Sequence, residues 1–157
     1  MPTNQEVWAS QLREIPTTFR NALRLYDDRA IRHRPAAGEW SAMEVVGHMV
    51  DKMQNWARRT ERISTEERPE LPGYDQDASV RDHDYQHANG EALLEQLSQS
   101  CEHFATIVEN IPDSALERGG VHSEFGPITA RYCIEVCIES AEGHLEQLRA
   151  AQTAGQN

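Results

Sequence analysis

The stretch GEWSAMEVVGHMVDKMQNWARR, residues 38–59, decides how this chain folds. Met43, Val45, Val46, Met49, Val50, Met53 and Ala57 fill one wide arc of a helical wheel, the pattern of a helix buried along one side. Ser41 and Glu44 form an S-x-x-E capping box, so the spacing predicts a helix that starts there and runs to about Ser64. Glu44, His48, Asp51, Asn55, Arg59 and Arg62 share the remaining sector. Taken by itself, the wheel puts His48 at the surface.

The same period appears in three more segments. The first runs from about Asn4 to Ile31, with Trp8, Leu12, Ile15, Phe19, Ala22, Leu23 and Tyr26 inward. Thr3 and Glu6 make a second capping box, and Pro16 is expected to bend or break this helix. Another follows Asn89, with Leu93, Leu94, Leu97, Cys101, Phe104, Ile107 and Val108 inward, and ends at Pro112. In the last, Pro127 is expected in the first turn of a helix running from about Ile128 to Ala151. No segment shows convincing strand alternation. The expectation is therefore all-α: a single domain over residues 1–157, a bundle of four long antiparallel helices without a sheet. Residues 66–89 hold two prolines, a glycine and many charges. They read as a long crossover loop between helices two and three, joining non-adjacent helices and containing a short helix, or else as a lid-like functional loop.

Fifteen basic against twenty-six acidic residues give a formal charge of −11, a field that repels phosphate backbones and anionic membranes. No nucleic-acid or membrane partner is expected. The opening MPTNQEVW lacks a basic stretch followed by an apolar core, no apolar run is long enough to span a bilayer, and three cysteines cannot all pair. These features lead to the expectation of a reduced, cytoplasmic protein. Cys133 and Cys137 face inward among aliphatic residues, where a thiol is an inert small hydrophobe.

On the fourth segment His144 sits at the edge of the inward sector, beside Ser140. Two histidines from different helices, each with polar residues one turn away, are how bundles build metal and ligand sites. His83, His87, His103 and His122 are expected in loops or at the surface; His122 stands out because it precedes the last helix.

The stretches RPAAGEWSAMEVVGHMVD, GVHSEFGPIT and GHLEQL, in that order, resemble the DinB/YfiT-like superfamily of small bacterial four-helix bundles. Trp40, Ser41, Glu44, His48 and Asp51 carry the most specific part of the resemblance, which covers nearly the whole chain. It implies a pocket in which three histidines bind zinc or nickel, one from helix two and two from helix four in H-x-x-x-H. It also implies relatives that act as metal-dependent hydrolases or as transferases using low-molecular-weight thiols, and stress-associated proteins, commonly dimeric. Under that resemblance His48 and His144 match two of the metal ligands. Ser140 stands where the third histidine is expected, and a hydroxyl is a poor zinc ligand. Metal binding is accordingly expected to be weak or absent. Asp51 either completes a two-histidine, one-carboxylate set or pairs with Arg58 or Arg59, and Asp51, Asn55 and Ser140 are the expected ligand-pocket residues. No catalytic residue is assigned. The functional expectation is a metal-dependent hydrolase or thiol-dependent transferase acting on a small molecule, with homodimerisation expected from the resemblance. The alternatives are a non-catalytic small-molecule-binding bundle that has lost tight metal binding, and a structural protein.

Overall fold

The computed structural model describes residues 1–156. Helix α1 (Asn4–Leu23) begins on its capping box: Thr3 Oγ1 accepts from the Glu6 N–H at 3.1 Å, and the Thr3 N–H donates to the Glu6 carboxylate at 3.0 Å. Pro16 lies inside this continuous helix with its ring buried, so it does not end it. The chain breaks later, where Asp27 caps the one-turn helix α2 (Asp28–Ile31) by accepting from the Ala30 N–H. The expected single segment to Ile31 is thus two, because a local aspartate cap competes with continued helix. Helix α3 (Ala42–Thr65) starts on Ser41 and Glu44 as expected.

Residues 66–89 carry a two-residue strand β1 (Glu70–Leu71), a helix α4 (Gln76–Asp82) and a 3-10 turn at Tyr85–His87. Asn89 then caps α5 (Gly90–Asn110). The last long helix, α6 (Ala130–Ala154), is capped by Thr129; Pro127 falls before it, in a strand, not in its first turn.

Helices α1 and α3 each pack on both α5 and α6. Their directions follow from the contacts. Gln5 reaches Ile111 and Arg24 reaches Glu91, so α1 and α5 run antiparallel. Cys137 meets Met53 and His144 meets His48, so α3 and α6 do as well. Gly90 lies by Met43 and Gln54 by Ser100, which makes α3 and α5 parallel neighbours. The bundle is up-down-down-up. The expectation of four mutually antiparallel helices, with the crossover joining non-adjacent ones, is corrected. At 1.5 Å per residue α3 is about 36 Å long, so the chain must travel back that whole length before a parallel neighbour can start. That return is what residues 66–89 are for.

The absence of a sheet is also corrected. Strands β1, β2 (Gly119–His122) and β3 (Gly126–Thr129) form a small sheet in that order, at the end of the bundle where α3 finishes. Strand β1 runs parallel to β2 with Leu71 opposite His122, and β2 pairs antiparallel with β3. A Cβ on Gly120 would stand 3.0 Å from the Pro69 carbonyl, so the parallel pairing needs glycine there. Strands of two and four residues are too short to show alternation in the sequence.

The core lies between the four long helices, with Leu12, Phe19, Met49, Met53, Leu97, Phe104 and Ile134 sealed from solvent. Among the described residues no helix is long and apolar enough to cross a membrane.

Candidate functional site

Helix α3 is buried almost all round through its first half, including Glu44, His48 and Asp51. The wheel fails here because the returning crossover covers the polar sector. The ring of Tyr85 rests on Gly47, where a Cβ would be 2.1 Å from Tyr85 Cγ. From that seat the Tyr85 hydroxyl donates to Asp51 Oδ1 at 2.6 Å, and Ser79 of α4 donates to Oδ2 at 2.7 Å. Asp51 is 3% exposed and pairs with neither Arg58 nor Arg59. It fastens the crossover to the bundle, and its oxygens are committed there. Asn55 donates to the Asp51 backbone carbonyl at 2.8 Å. Of the three expected pocket residues, Asp51 thus bonds to the crossover and Asn55 to its own helix.

His48 is placed differently. It is 1% exposed, and its ring sits between Trp40 and His144, each with its centroid 4.7 Å away. Both of its ring nitrogens are buried without a hydrogen-bond partner. Burial, then the neighbouring His144 and Lys52, push its pKa down to about 3, so the ring is neutral, the form that binds metals. His144 is half-buried and its pKa is likewise lowered, chiefly by burial. Its Nδ1–H donates to Gln147 Oε1 at 3.2 Å, which leaves Nε2 with a free lone pair. The sequence expectation of a surface His48 from the wheel gives way to the shared pocket. A recess of about 380 Å³ outside the pair includes both Trp40 and Gln147 in its wall.

Two orphaned nitrogens on a buried, neutral imidazole beside a second imidazole fit a metal held by two histidines. A third strong ligand does not reach them. The Ser140 hydroxyl bonds back to the Cys137 carbonyl at 3.1 Å, and among the described residues no group of three or more His, Cys, Asp or Glu side chains could hold a metal. Among the described residues the three-ligand set of a catalytic zinc site is thus not complete.

The cysteines are buried, and desolvation raises Cys133 and Cys137 to about 12. His122, expected in a loop or at the surface, is 3% exposed on β2. No sequence periodicity marked it, because its burial depends on a strand pairing some fifty residues away in the chain.

Residues 11–148 match the model of the DinB superfamily. The chain is similar to "Putative metal-dependent hydrolase YfiT" of Bacillus subtilis, 24% identical over 120 residues that cover 76% of this chain and 67% of the relative. A second protein of the same description, from Oceanobacillus iheyensis, is 21% identical over 141 residues, 90% of this chain and 81% of its own. Among solved structures, that of the Bacillus subtilis YfiT, described as a "probable metal-dependent hydrolase with an unusual four-helix bundle topology", aligns with a TM-score of 0.86 at 20% identity, covering 98% of this chain and 89% of the other.

Proposed function

This chain belongs to the DinB superfamily, and on that premise we propose that it acts on a small molecule as a metal-dependent hydrolase or thiol-dependent transferase. His48 and His144 would hold a zinc or nickel ion, weakly because Ser140 replaces the third histidine. One observation carries the reading: His48 is sealed in the bundle with both ring nitrogens unpaired, beside a second imidazole whose Nε2 is free. Burying unpaired polar atoms costs free energy, which a bound ligand would recover. A divalent ion there would supply Lewis-acid polarisation of a substrate oxygen or thiol. The protein's own part is to keep both imidazoles neutral, fix His144 through Gln147, and exclude water around His48 with Trp40. The relatives' description as "Putative metal-dependent hydrolase" supports the same reading.

Elemental analysis of protein purified without an affinity tag tests it, since substoichiometric zinc or nickel is expected. By calorimetry Ser140→His should tighten zinc binding by roughly two orders of magnitude, because it adds an imidazole one turn from His144. Adding His48→Ala should remove that gain. Zinc binding that Ser140→His leaves unchanged would show that the two histidines do not share an ion and would favour a non-catalytic binding bundle. Further parts of the proposal are a homodimer, a cytoplasmic setting, and no nucleic-acid or membrane partner, given the charge of −11.

A further inference from the structure

His48, Lys52 and Arg59 lie on one stripe of α3, with His48 and Arg59 about 16 Å apart along the axis. At the Arg59 end the stripe opens into a cavity of about 160 Å³ between α3, the crossover, the β2–β3 hairpin and α6. Arg59 is 7% exposed, yet among the described residues it makes no hydrogen bond and no ion pair. Its guanidinium lies 4.5 Å from the centroid of the Trp56 ring and 6.0 Å from that of Tyr74. Lys52, half-buried one turn from Trp56, also lacks a partner. Burial lowers the pKa of both, with each other's neighbourhood adding to the effect on Lys52.

Two more donors converge on the same space. The Tyr74 hydroxyl is buried and unpartnered, and burial, with Asp51 nearby, raises it to about 12, so it keeps its proton. His122 Nδ1 accepts from the backbone N–H groups of Glu124 and Phe125 at 3.0 and 3.2 Å. That fixes its tautomer and leaves Nε2–H as a buried donor without an acceptor. One carboxylate, the exposed Glu124, stands at the rim and does not pair with Arg59 within ion-pair distance. Two cations and two neutral donors share the lining with this one carboxylate, so the cavity holds more positive charge than negative in a protein of charge −11. The walls are flat: the Trp56 and Phe125 rings stack at 6.3 Å with 3° between their planes.

We infer that this cavity is a binding site for a small organic carboxylate, its oxygens received by Arg59, Lys52, Tyr74 and His122 and its flat apolar body held by Trp56 and Phe125. The planar guanidinium can pair with a carboxylate through two parallel hydrogen bonds. The Trp56 and Phe125 rings favour an acid with an apolar body over inorganic phosphate, which has none. The cavity is below the usual 300–1,000 Å³ of ligand pockets, so it suits a compact acid or the acidic end of a larger molecule. Neither His48 nor His144 lines this cavity, and the inference stands whether or not they bind an ion.

The test is calorimetry on the chelator-treated protein with benzoate, benzamide and inorganic phosphate as probes. Benzoate should bind at one site, with benzamide, which lacks the charge, and phosphate, which lacks the apolar body, each at least about ten-fold weaker. Arg59→Met should weaken benzoate by at least about ten-fold while the thermal midpoint holds or rises, because an unpaired buried charge has been removed. If Arg59→Met fails to fold, Tyr74→Phe, which keeps the ring, must still lower benzoate affinity. No benzoate binding at millimolar concentration, benzamide or phosphate binding as tightly as benzoate, or affinity unchanged in these variants would overturn the inference.

Discussion

Two stripes run side by side along α3, and they treat polarity in opposite ways. On the stripe under the crossover, Glu44 takes Arg34 and the Ser41 N–H, Asp51 takes Tyr85 and Ser79, and Asn55 binds its own helix. On the stripe facing α6, His48 and Arg59 are buried and Lys52 is half-buried, and none of the three makes a hydrogen bond among the described residues. One stripe is acidic and amide and the other basic, at nearly the same depth. Partnered groups pin the fold together, whereas unpartnered ones impose a cost that only a ligand would offset. Burial of a polar residue is therefore no guide to its role until its partners are counted.

The sharpest way to break this comparison is at Asp51. Asp51→Ala strips the acceptor from the buried Tyr85 hydroxyl and the half-buried Ser79 hydroxyl and should destabilise by about 3 to 5 kcal/mol in denaturant melts, given charge-assisted hydrogen bonds of about 1.5 to 3 kcal/mol each. A loss under 1 kcal/mol would mean that the crossover is held elsewhere. Gly47→Ala tests the same attachment by steric means. Its new methyl displaces the Tyr85 ring and should cost about 3 kcal/mol, at the upper end for overpacking.

The facing stripe should respond to pH instead. In the metal-free protein the unfolded chain protonates His48 near its ordinary value of 6.5, while the folded one resists down to about 3. Stability from this residue is thus full above pH 6.5 and falls as pH drops towards 3, by up to about 1.4 kcal/mol per unit. At pH 4.5 that amounts to about 2 to 3 kcal/mol. His48→Phe should remove this part of the slope, and a slope identical to wild type would show that the ring accepts a proton in the folded state. Smallest of all, Asn55→Ala should change stability by no more than about 0.5 kcal/mol, since a lost bond to its own helix is balanced by better helix propensity.

Three of the four long helices were legible to their first residues because those starts are written locally. The fourth was legible by its periodicity, its cap at Thr129 lying past the Pro127 that was expected to open it. Thr3 with Glu6, Ser41 with Glu44, and Asn89 each satisfy the N–H groups that a helix exposes, and each lies within three residues of the group it caps. The helix order around the bundle was not, because parallel packing of α3 on α5 depends on where a 24-residue connection returns, not on any residue in either helix. The same gap hid the site's geometry. The periodicity of α3 placed His48 and Asp51 in one polar sector correctly, but nothing local said that Tyr85 would cover it. The family resemblance pointed to His48 and His144, and the structure brings their rings together. It assigned no role to Arg59 or to His122, although His122 lies in one of the matching stretches, because their common cavity is closed by a hairpin formed from a remote part of the chain.

Cys101, Cys133 and Cys137, from α5 and α6, have no exposed sulfur surface to offer and hold their protons well above neutral pH because of burial. Alkylation needs an accessible thiolate, so in the native protein these residues can react only from molecules whose bundle has come apart. The rate at which iodoacetamide consumes them, followed by mass spectrometry, is then a measure of how often the bundle opens as a whole. Three sulfurs sharing one rate would mean that α5 and α6 leave together. Faster labelling at Cys101 alone would single out α5 as the helix that peels away first.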